Sequence, residues 1–236
     1  MRALILNSGL GHRMGDITKN HPKCMTEIGF GETILSRQLK LLLKVGIKDV
    51  VMTTGYYEKV LKDYCDSLKL PLNIEFINNP MYAQTNYIYS IYCARDNLHD
   101  DIVLMHGDLV FKESVLKEIK DSKQSVMKVS STTPLPDKDF KAVVKKGRVY
   151  KVGIDFFESA MEAQALYKLN KKDWEAWLDE IVAFCDSGNT NVYAENAFNK
   201  VSDKCEIYAL DVKDRLCTEI DTPEDLAKVK EMLNNE

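Results

Sequence analysis

No run of apolar side chains in this chain approaches twenty, and no charged-then-apolar leader ending in small residues opens it. Neither a membrane span nor export is expected, and the cytoplasm is the expected compartment. Cys-x-x-Cys pairs are absent among the six cysteines, and His12, His21, His99 and His106 have no partners at metal-ligand spacing. That argues against a disulfide framework, a zinc site or a transition metal, and for reduced thiols. Positive charge is not in surplus: 32 Lys and Arg against 36 Asp and Glu leave a net charge of -4, with no electrostatic footprint for DNA or RNA. Internal repeats and low-complexity tracts are also missing. At 236 residues the chain is long enough for one α/β domain with a full core, spanning 1–236.

What is present is concentrated near the start. An apolar run, Ala3 to Leu6, breaks into Asn7-Ser8-Gly9-Leu10-Gly11, then Arg13 and Gly15, and Pro22-Lys23 follows ten residues after Arg13. This reads as a buried strand feeding a phosphate-binding loop. Gly9 and Gly11 supply backbone freedom and let main-chain N–H groups crowd toward an anion, while Arg13 and Lys23 add fixed positive charge. A Gly-x-Gly after a strand also suits a plain tight turn; the added Arg and Pro-Lys favour a polyphosphate.

Beyond the loop, strands and helices alternate. Thr33 to Val45 places Ile34, Leu35, Gln38, Leu39, Leu42 and Leu43 at helical spacing, with Gly46 at the position of a left-handed cap. Strands are expected from Asp49, Leu72 and Asp101, and helices over 57–68 and 87–97. Such βαβ units, with right-handed crossovers, build a Rossmann-like, mostly parallel sheet with helices on both faces, whose ligands bind at the carboxyl ends of the strands. From Ser125 to Phe157 the pattern is strand-rich, with a Lys146-Gly147-Arg148 turn, so an appended antiparallel ribbon is expected. A helix over 171–185 carries Trp174, Trp177, Ile181 and Phe184 on one face, which reads as core. Thr222-Pro223-Glu224-Asp225 opens a final helix in cap, N1, N2, N3 order.

Two carboxylates invite chemistry. Asp108 follows an apolar strand and sits beside Gly107, which leaves room for a ligand to approach; it suits a hard cation, or equally a turn aspartate bonded to its own loop. Asp221, before Thr222-Pro223, reads as a helix cap or as a second ligand.

Gly9-Leu10-Gly11-His12-Arg13-Met14-Gly15 followed by Pro22-Lys23 resembles the signature loop of the nucleotidylyltransferases that activate sugar phosphates, phosphocholine and phosphonates. The likeness runs from the first loop to the final helix and is closer to the phosphocholine, phosphonate and phosphoglutamine cytidylyltransferases than to the longer sugar enzymes. The chain departs from the family at Asn7-Ser8, where small Ala or Gly is usual, and at His12, where Ser or Thr is usual. The resemblance implies catalytic roles for Arg13 and Lys23, and nucleotide contacts at Asn7, Ser8, Gly9, Gly11, Gly55, Tyr56, Asn86 and Ser90. It also implies a magnesium ion on Asp108 and Asp221, the only cofactor. Tyr193-Ala194-Glu195-Asn196 is similar to a segment lining the acceptor pocket, so Tyr193, Glu195 and Asn196 become candidate acceptor contacts. By the same likeness residues 1–124 form a nucleotide-binding core, and 125–236 bind the acceptor and complete the metal site. Many relatives carry an acid where this chain has His106.

The expected activity is transfer of CMP from CTP to phosphocholine, 2-aminoethylphosphonate or phosphoglutamine, for cell-surface polysaccharide or phosphonate biosynthesis, with no nucleic acid or membrane partner. The nearest rival is a sugar-1-phosphate nucleotidylyltransferase using UTP or dTTP, against which the short chain speaks. A nicotinamide-dependent oxidoreductase would end its second strand in an acid, and here that strand ends Thr53-Thr54-Gly55-Tyr56. A catalytically inactive nucleotide-binding module would have little use for Arg13, Lys23, Asp108 and Asp221 together.

Overall fold

The computed structural model describes residues 1–234; positions 235 and 236 of the expected domain lie outside the described residues. The chain opens with β1 (Arg2–Leu6), two short 3-10 segments (His12–Thr18 and Lys23–Met25), and the hairpin of β2 (Glu27–Gly29) and β3 (Glu32–Thr33). There follow α1 (Ile34–Lys44), β4 (Asp49–Thr54), α2 (Glu58–Ser67), β5 (Asn73–Asn78), α3 (Tyr87–Ala94), β6 (Ile102–His106), β7 (Leu109–Phe111) and α4 (Glu113–Asp121). The second half comprises β8 (Ser125–Ser130), β9 (Lys141–Lys145), β10 (Arg148–Gly153), β11 (Ala160–Leu169), α5 (Lys171–Asp186), α6 (Ala194–Val201), β12 (Ile207–Asp211), β13 (Cys217–Glu219) and α7 (Pro223–Asn234).

Nine strands form one sheet in the order β5-β4-β1-β6-β11-β8-β12-β10-β9. The first four are mutually parallel, as the βαβ pattern requires. Strand β11 then runs antiparallel to both β6 and β8, β12 lies parallel to β8, and β10 with β9 forms the expected hairpin. The sheet is therefore mixed, and the antiparallel ribbon is woven into it: β11 pairs with β9 as well as with β6 and β8. Lys146 and Gly147 both have positive φ, 51° and 79°, the geometry a two-residue hairpin turn demands.

Strand alternation divides the core between two faces. Leu4, Leu6 and Leu104 point toward Ile88 and Ile91 of α3, Trp174 and Trp177 of α5 and Phe198 of α6. Ala3, Ile5 and Met105 point the other way, onto Leu35, Leu39 and Leu42 of α1, Leu61 of α2 and Leu116 of α4. The tryptophans are core, as their spacing suggests; each satisfies its one donor, Trp174 Nε1 to the Leu98 carbonyl at 2.9 Å and Trp177 Nε1 to that of Ala194 at 2.8 Å. Thr33 and Ser36 form a capping box at the start of α1, and Gly46 ends it with φ 83°. All six cysteines are free. No helix among the described residues is long and apolar enough to cross a membrane.

Gly55, after β4, is where the first loop seats: a Cβ there would lie 2.5 Å from the Ser8 carbonyl oxygen and 3.0 Å from Tyr82 Cβ. Gly55→Ala is expected to cost ~1–3 kcal/mol through overpacking. Urea denaturation reads this as a lower midpoint at unchanged slope; a wild-type midpoint would show that the contact carries no strain.

Candidate active site

Adjacent parallel strands β1 and β6 pair Leu6 with His106, so the loop after Leu6 and the Gly107-Asp108 turn leave the same edge of the sheet. Gln38, buried in α1, donates from Nε2 to the carbonyls of His106 at 3.0 Å and Leu109 at 2.8 Å and pins that turn. Asp221 arrives from the far end of the chain because β13 pairs antiparallel with β7, Glu219 opposite Leu109, and Ile220 N–H donates to the Asp108 carbonyl at 3.1 Å. The cap of α7 is Thr222, whose Oγ1 accepts from Asp225 N–H at 3.2 Å while Asp225 Oδ2 accepts from Thr222 N–H at 2.9 Å. Capping is thus discharged by its neighbours, and the Asp221 carboxylate turns to the cleft.

There it meets the basic residues of the loop. Lys23 Nζ lies 2.6 Å from Asp221 Oδ1 and also pairs with Asp108, and Arg13 Nη1 lies 2.9 Å from Asp221 Oδ2. Burial works against a charged Lys23, yet the two carboxylates outweigh it and hold the ammonium above the ordinary lysine range. Burial likewise opposes the Asp108 charge, but Lys23 and then His106 hold its carboxyl below the ordinary aspartate range. Gly11 sits in the left-handed region, φ 69°, and a Cβ there would come within 3.1 Å of Lys23 Cβ, so glycine lets the loop close over the lysine.

A cavity of about 350 Å³ is lined by Gly9, Gly11, Arg13, Lys23, Asp108 and Asp221, with Asn7 at its floor. A second, of about 310 Å³, is lined by Ser8, Gly9, Asn86, Ser90, His106 and Asp108. Sharing Gly9 and Asp108, the two form one cleft. Within it Asn86 Oδ1 accepts from Tyr87 N–H at 2.8 Å as the cap of α3, and buried Ser90 accepts from Asn79 Nδ2 at 3.0 Å. Gly55 lines neither cavity, and exposed Tyr56 borders a neighbouring depression with Tyr57 and Tyr82.

Three expectations need correction. Gly107 does not leave space for a ligand; a Cβ there would fall 1.6 Å from Asn7 Oδ1, so the space belongs to the Asn7 carboxamide. Glu195 is buried and faces no open pocket: Oε1 accepts from Tyr167 Oη at 2.9 Å and Oε2 accepts from Tyr87 Oη. Burial and then the Glu195 charge keep both phenols protonated well above the ordinary tyrosine range. Asn196 is exposed, and neither it nor Tyr193 lines either cavity; the Tyr193 ring lies 5.1 Å from that of Phe140 and 5.9 Å from that of Tyr87, which lines the second cavity.

The structure also adds residues. Glu219 accompanies Asp221 two positions earlier in extended chain, so both point the same way, a period-two signal present in the sequence. Its Oε1 lies 3.1 Å from His106 Nδ1, and carboxylate oxygens of Asp139, Glu219 and Asp221 lie within 4.8 Å of one another. Buried Asp108 Oδ1 has no protein partner. An orphaned carboxylate oxygen among converging hard oxygen donors fits a divalent cation.

A family model described as the MobA-like NTP transferase domain matches residues 3–131. The chain belongs to the MobA-like NTP transferase family. Curated relatives of this transferase include the CMP-5'-(3-aminopropyl)phosphonate synthase of Streptomyces rubellomurinus, 30% identical over 57% of this chain but only 21% of the relative. Another is the choline-phosphate cytidylyltransferase of Streptococcus pneumoniae, 25% identical over the whole of both chains. Among solved structures, the CTP:phosphocholine cytidylyltransferase of the same organism superposes with a TM-score of 0.80 at 21% identity, covering 98% of each chain. That likeness shows a shared fold.

In this transferase His106 is half-buried, and the desolvation opposes its charge, but the hydrogen bond and charge of Glu219 and the charge of Asp108 raise its pKa from 6.5 to about 8. A pKa raised by folding contributes stability that is complete below the unfolded value and lost as the pH rises through the folded one. The stability difference between wild type and His106→Gln should therefore shrink by about 2 kcal/mol between about pH 6 and pH 9. Urea titrations at several pH values check this; a pH-independent difference would contradict it.

Proposed function

We propose that this transferase is a CTP-dependent cytidylyltransferase, which moves CMP onto a small phosphomonoester or phosphonate acceptor and releases pyrophosphate, in the cytoplasm. The observation that carries the reading is the Lys23 ammonium held between Asp108 and Asp221 beneath the Gly9–Gly11 loop, with Arg13 alongside. The whole-length match to a choline-phosphate enzyme supports CTP and a compact acceptor.

An acceptor oxygen attacks the α-phosphorus of CTP in line, the bond to the bridging oxygen of the β-phosphate breaks, and pyrophosphate leaves with no covalent enzyme intermediate. The loop amides and Arg13 hold the departing phosphates, and Lys23, kept charged by its carboxylates, neutralises the transferring phosphoryl group. Asp108 and Asp221 would hold a magnesium ion, which supplies further positive charge to the phosphates when bound. Asn7, Ser8, Asn86 and Ser90 contact the nucleotide from the cleft walls; Gly55 serves by seating the loop, and Tyr56 borders its outer edge. At the acceptor end the Phe140 ring packs against Tyr193, and the neighbouring Asp139 carboxylate approaches that of Glu219, a combination of rings and negative charge that suits an amine or quaternary ammonium. Glu195 acts from beneath by fixing Tyr87, whose ring packs edge-on against His106 at 4.7 Å.

Pyrophosphate release is to be measured with each nucleoside triphosphate against phosphocholine, 2-aminoethylphosphonate, phosphoglutamine and sugar 1-phosphates. Turnover with CTP and one amine-bearing acceptor is expected. Turnover only with UTP or dTTP and a sugar phosphate would replace the reading with a sugar nucleotidylyltransferase, and silence would favour a binding module. Lys23→Ala is expected to lower kcat by ~100-fold or more while far-UV circular dichroism stays native; wild-type turnover would contradict its role.

A further inference from the structure

Lys141, the first residue of β9, has no exposed surface, and among the described residues no carboxylate lies within ion-pair distance of its ammonium. A buried ammonium without an ion-pair partner is costly unless dipoles replace its water. Here Nζ donates to two main-chain carbonyls of the segment before β9, those of Pro136 and Asp139, the latter at 3.2 Å, and it stands 4.3 Å from the centre of the Phe157 ring. One side chain thus ties the irregular stretch 131–140 to the stretch after β10. That stretch carries Asp139, whose carboxylate approaches Glu219 and Asp221 within 4.8 Å, and Phe140, whose ring packs against Tyr193 at 5.1 Å and stands 6.5 Å from His106. Asp221 is paired with Lys23 and Arg13 and Glu219 with His106, whereas Asp139 has no ion-pair partner among the described residues and sits on an exposed loop free to carry it into water. Something must hold it in place, and the fixed carbonyl of Asp139 itself is the point of attachment.

We propose that Lys141 is a positioning residue for the acceptor end of the cleft: its buried ammonium latches residues 136–139 so that Asp139 and Phe140 face Glu219 and Tyr193 before a cationic acceptor arrives. The inference rests on the cytidylyltransferase reading for its substrate and on the hydrogen-bond geometry alone for the latch. The acceptor's positive end meets the Asp139 carboxylate that Lys141 holds in place, so losing the latch weakens acceptor binding more than CTP binding, since Lys23 and Arg13 hold Asp221 independently of the loop. With no exposed surface, Lys141 acts through the loop it holds.

The test compares wild type with Lys141→Met, Lys141→Arg and Asp139→Asn, using the acceptor that gives the highest turnover with CTP. Lys141→Met is expected to raise the acceptor KM about tenfold, as loss of hydrogen bonds to a charged group would, with the CTP KM unchanged. Lys141→Arg should recover much of the loss. Asp139→Asn, on an exposed residue that leaves folding intact, should raise the same KM, and the double variant Lys141→Met/Asp139→Asn should be no worse than the worse single one. Hydrogen exchange over residues 131–140 should quicken in Lys141→Met while β1, β4 and β6 stay protected. Equal rises in both KM values, additive effects of the two substitutions, or unchanged exchange over 131–140 would each overturn the latch. If wild type turns over no acceptor with CTP, the functional reading fails and the acceptor role fails with it, while the exchange experiment still decides whether Lys141 holds the loop.

Discussion

Two aspartates cannot share a buried corner of a cleft without a positive charge between them, and the site is organised around supplying it. Lys23 reaches both Asp108 and Asp221, and Arg13 adds a second cation to Asp221. For this to happen the first loop must fold back on itself, which the left-handed backbone at Gly11 permits, and the end of the chain must return to β6, which the short β7–β13 pairing achieves. Thr222 and Asp225 take over the helix cap and free Asp221 to face the lysine. Each of these local devices is weak alone; together they gather the cations and carboxylates at the carboxyl edge of a sheet, where ligands of such folds bind.

The two ends of the cleft are built differently. At the nucleotide end main-chain groups and fixed cations dominate, set by strands that run side by side. At the other end, proposed for the acceptor, rings and carboxylates come together from four separate parts of the chain: Tyr87, Phe140 with Asp139, Tyr193 and Glu219. Such an end depends on supporting contacts beneath it, with Glu195 under Tyr87 and Lys141 under the loop of Asp139.

Legibility in the sequence followed the range of the forces involved. The parallel half was readable because its strands are short apolar runs and its helices have clear starts and stops, such as Thr33 and Gly46 for α1. Strand β11, reading Ala-Met-Glu-Ala-Gln-Ala-Leu-Tyr-Lys-Leu, has no counterpart among the expected elements because it is written in helix-favouring residues. Its polar side chains face inward, Glu162 to Lys128 and Gln164 to Glu162, so tertiary pairing overrides propensity. Strands β7 and β13 are three residues each, too short for any period to register. Arg13, Lys23, Asp108 and Asp221 were legible as residue types in a motif, and the structure brings them into one cluster. Glu195 and Asn196 could not be placed from periodicity, since which side of α6 faces the cleft is decided by the tyrosines packed against it. Gly107 misled for a like reason: the missing side chain makes room for a neighbour, Asn7, and not for a ligand.

Lys23, Asp108 and Asp221 are proposed as the seat of a nucleotide's phosphates, and a crystal structure grown with CTP and magnesium would show whether they are. The account predicts the triphosphate under the Gly9–Gly11 loop, within reach of Arg13 and Lys23, with a divalent ion bound by carboxylate oxygens of Asp108 and Asp221. CTP bound elsewhere, with Lys23 still paired to both aspartates, would contradict it.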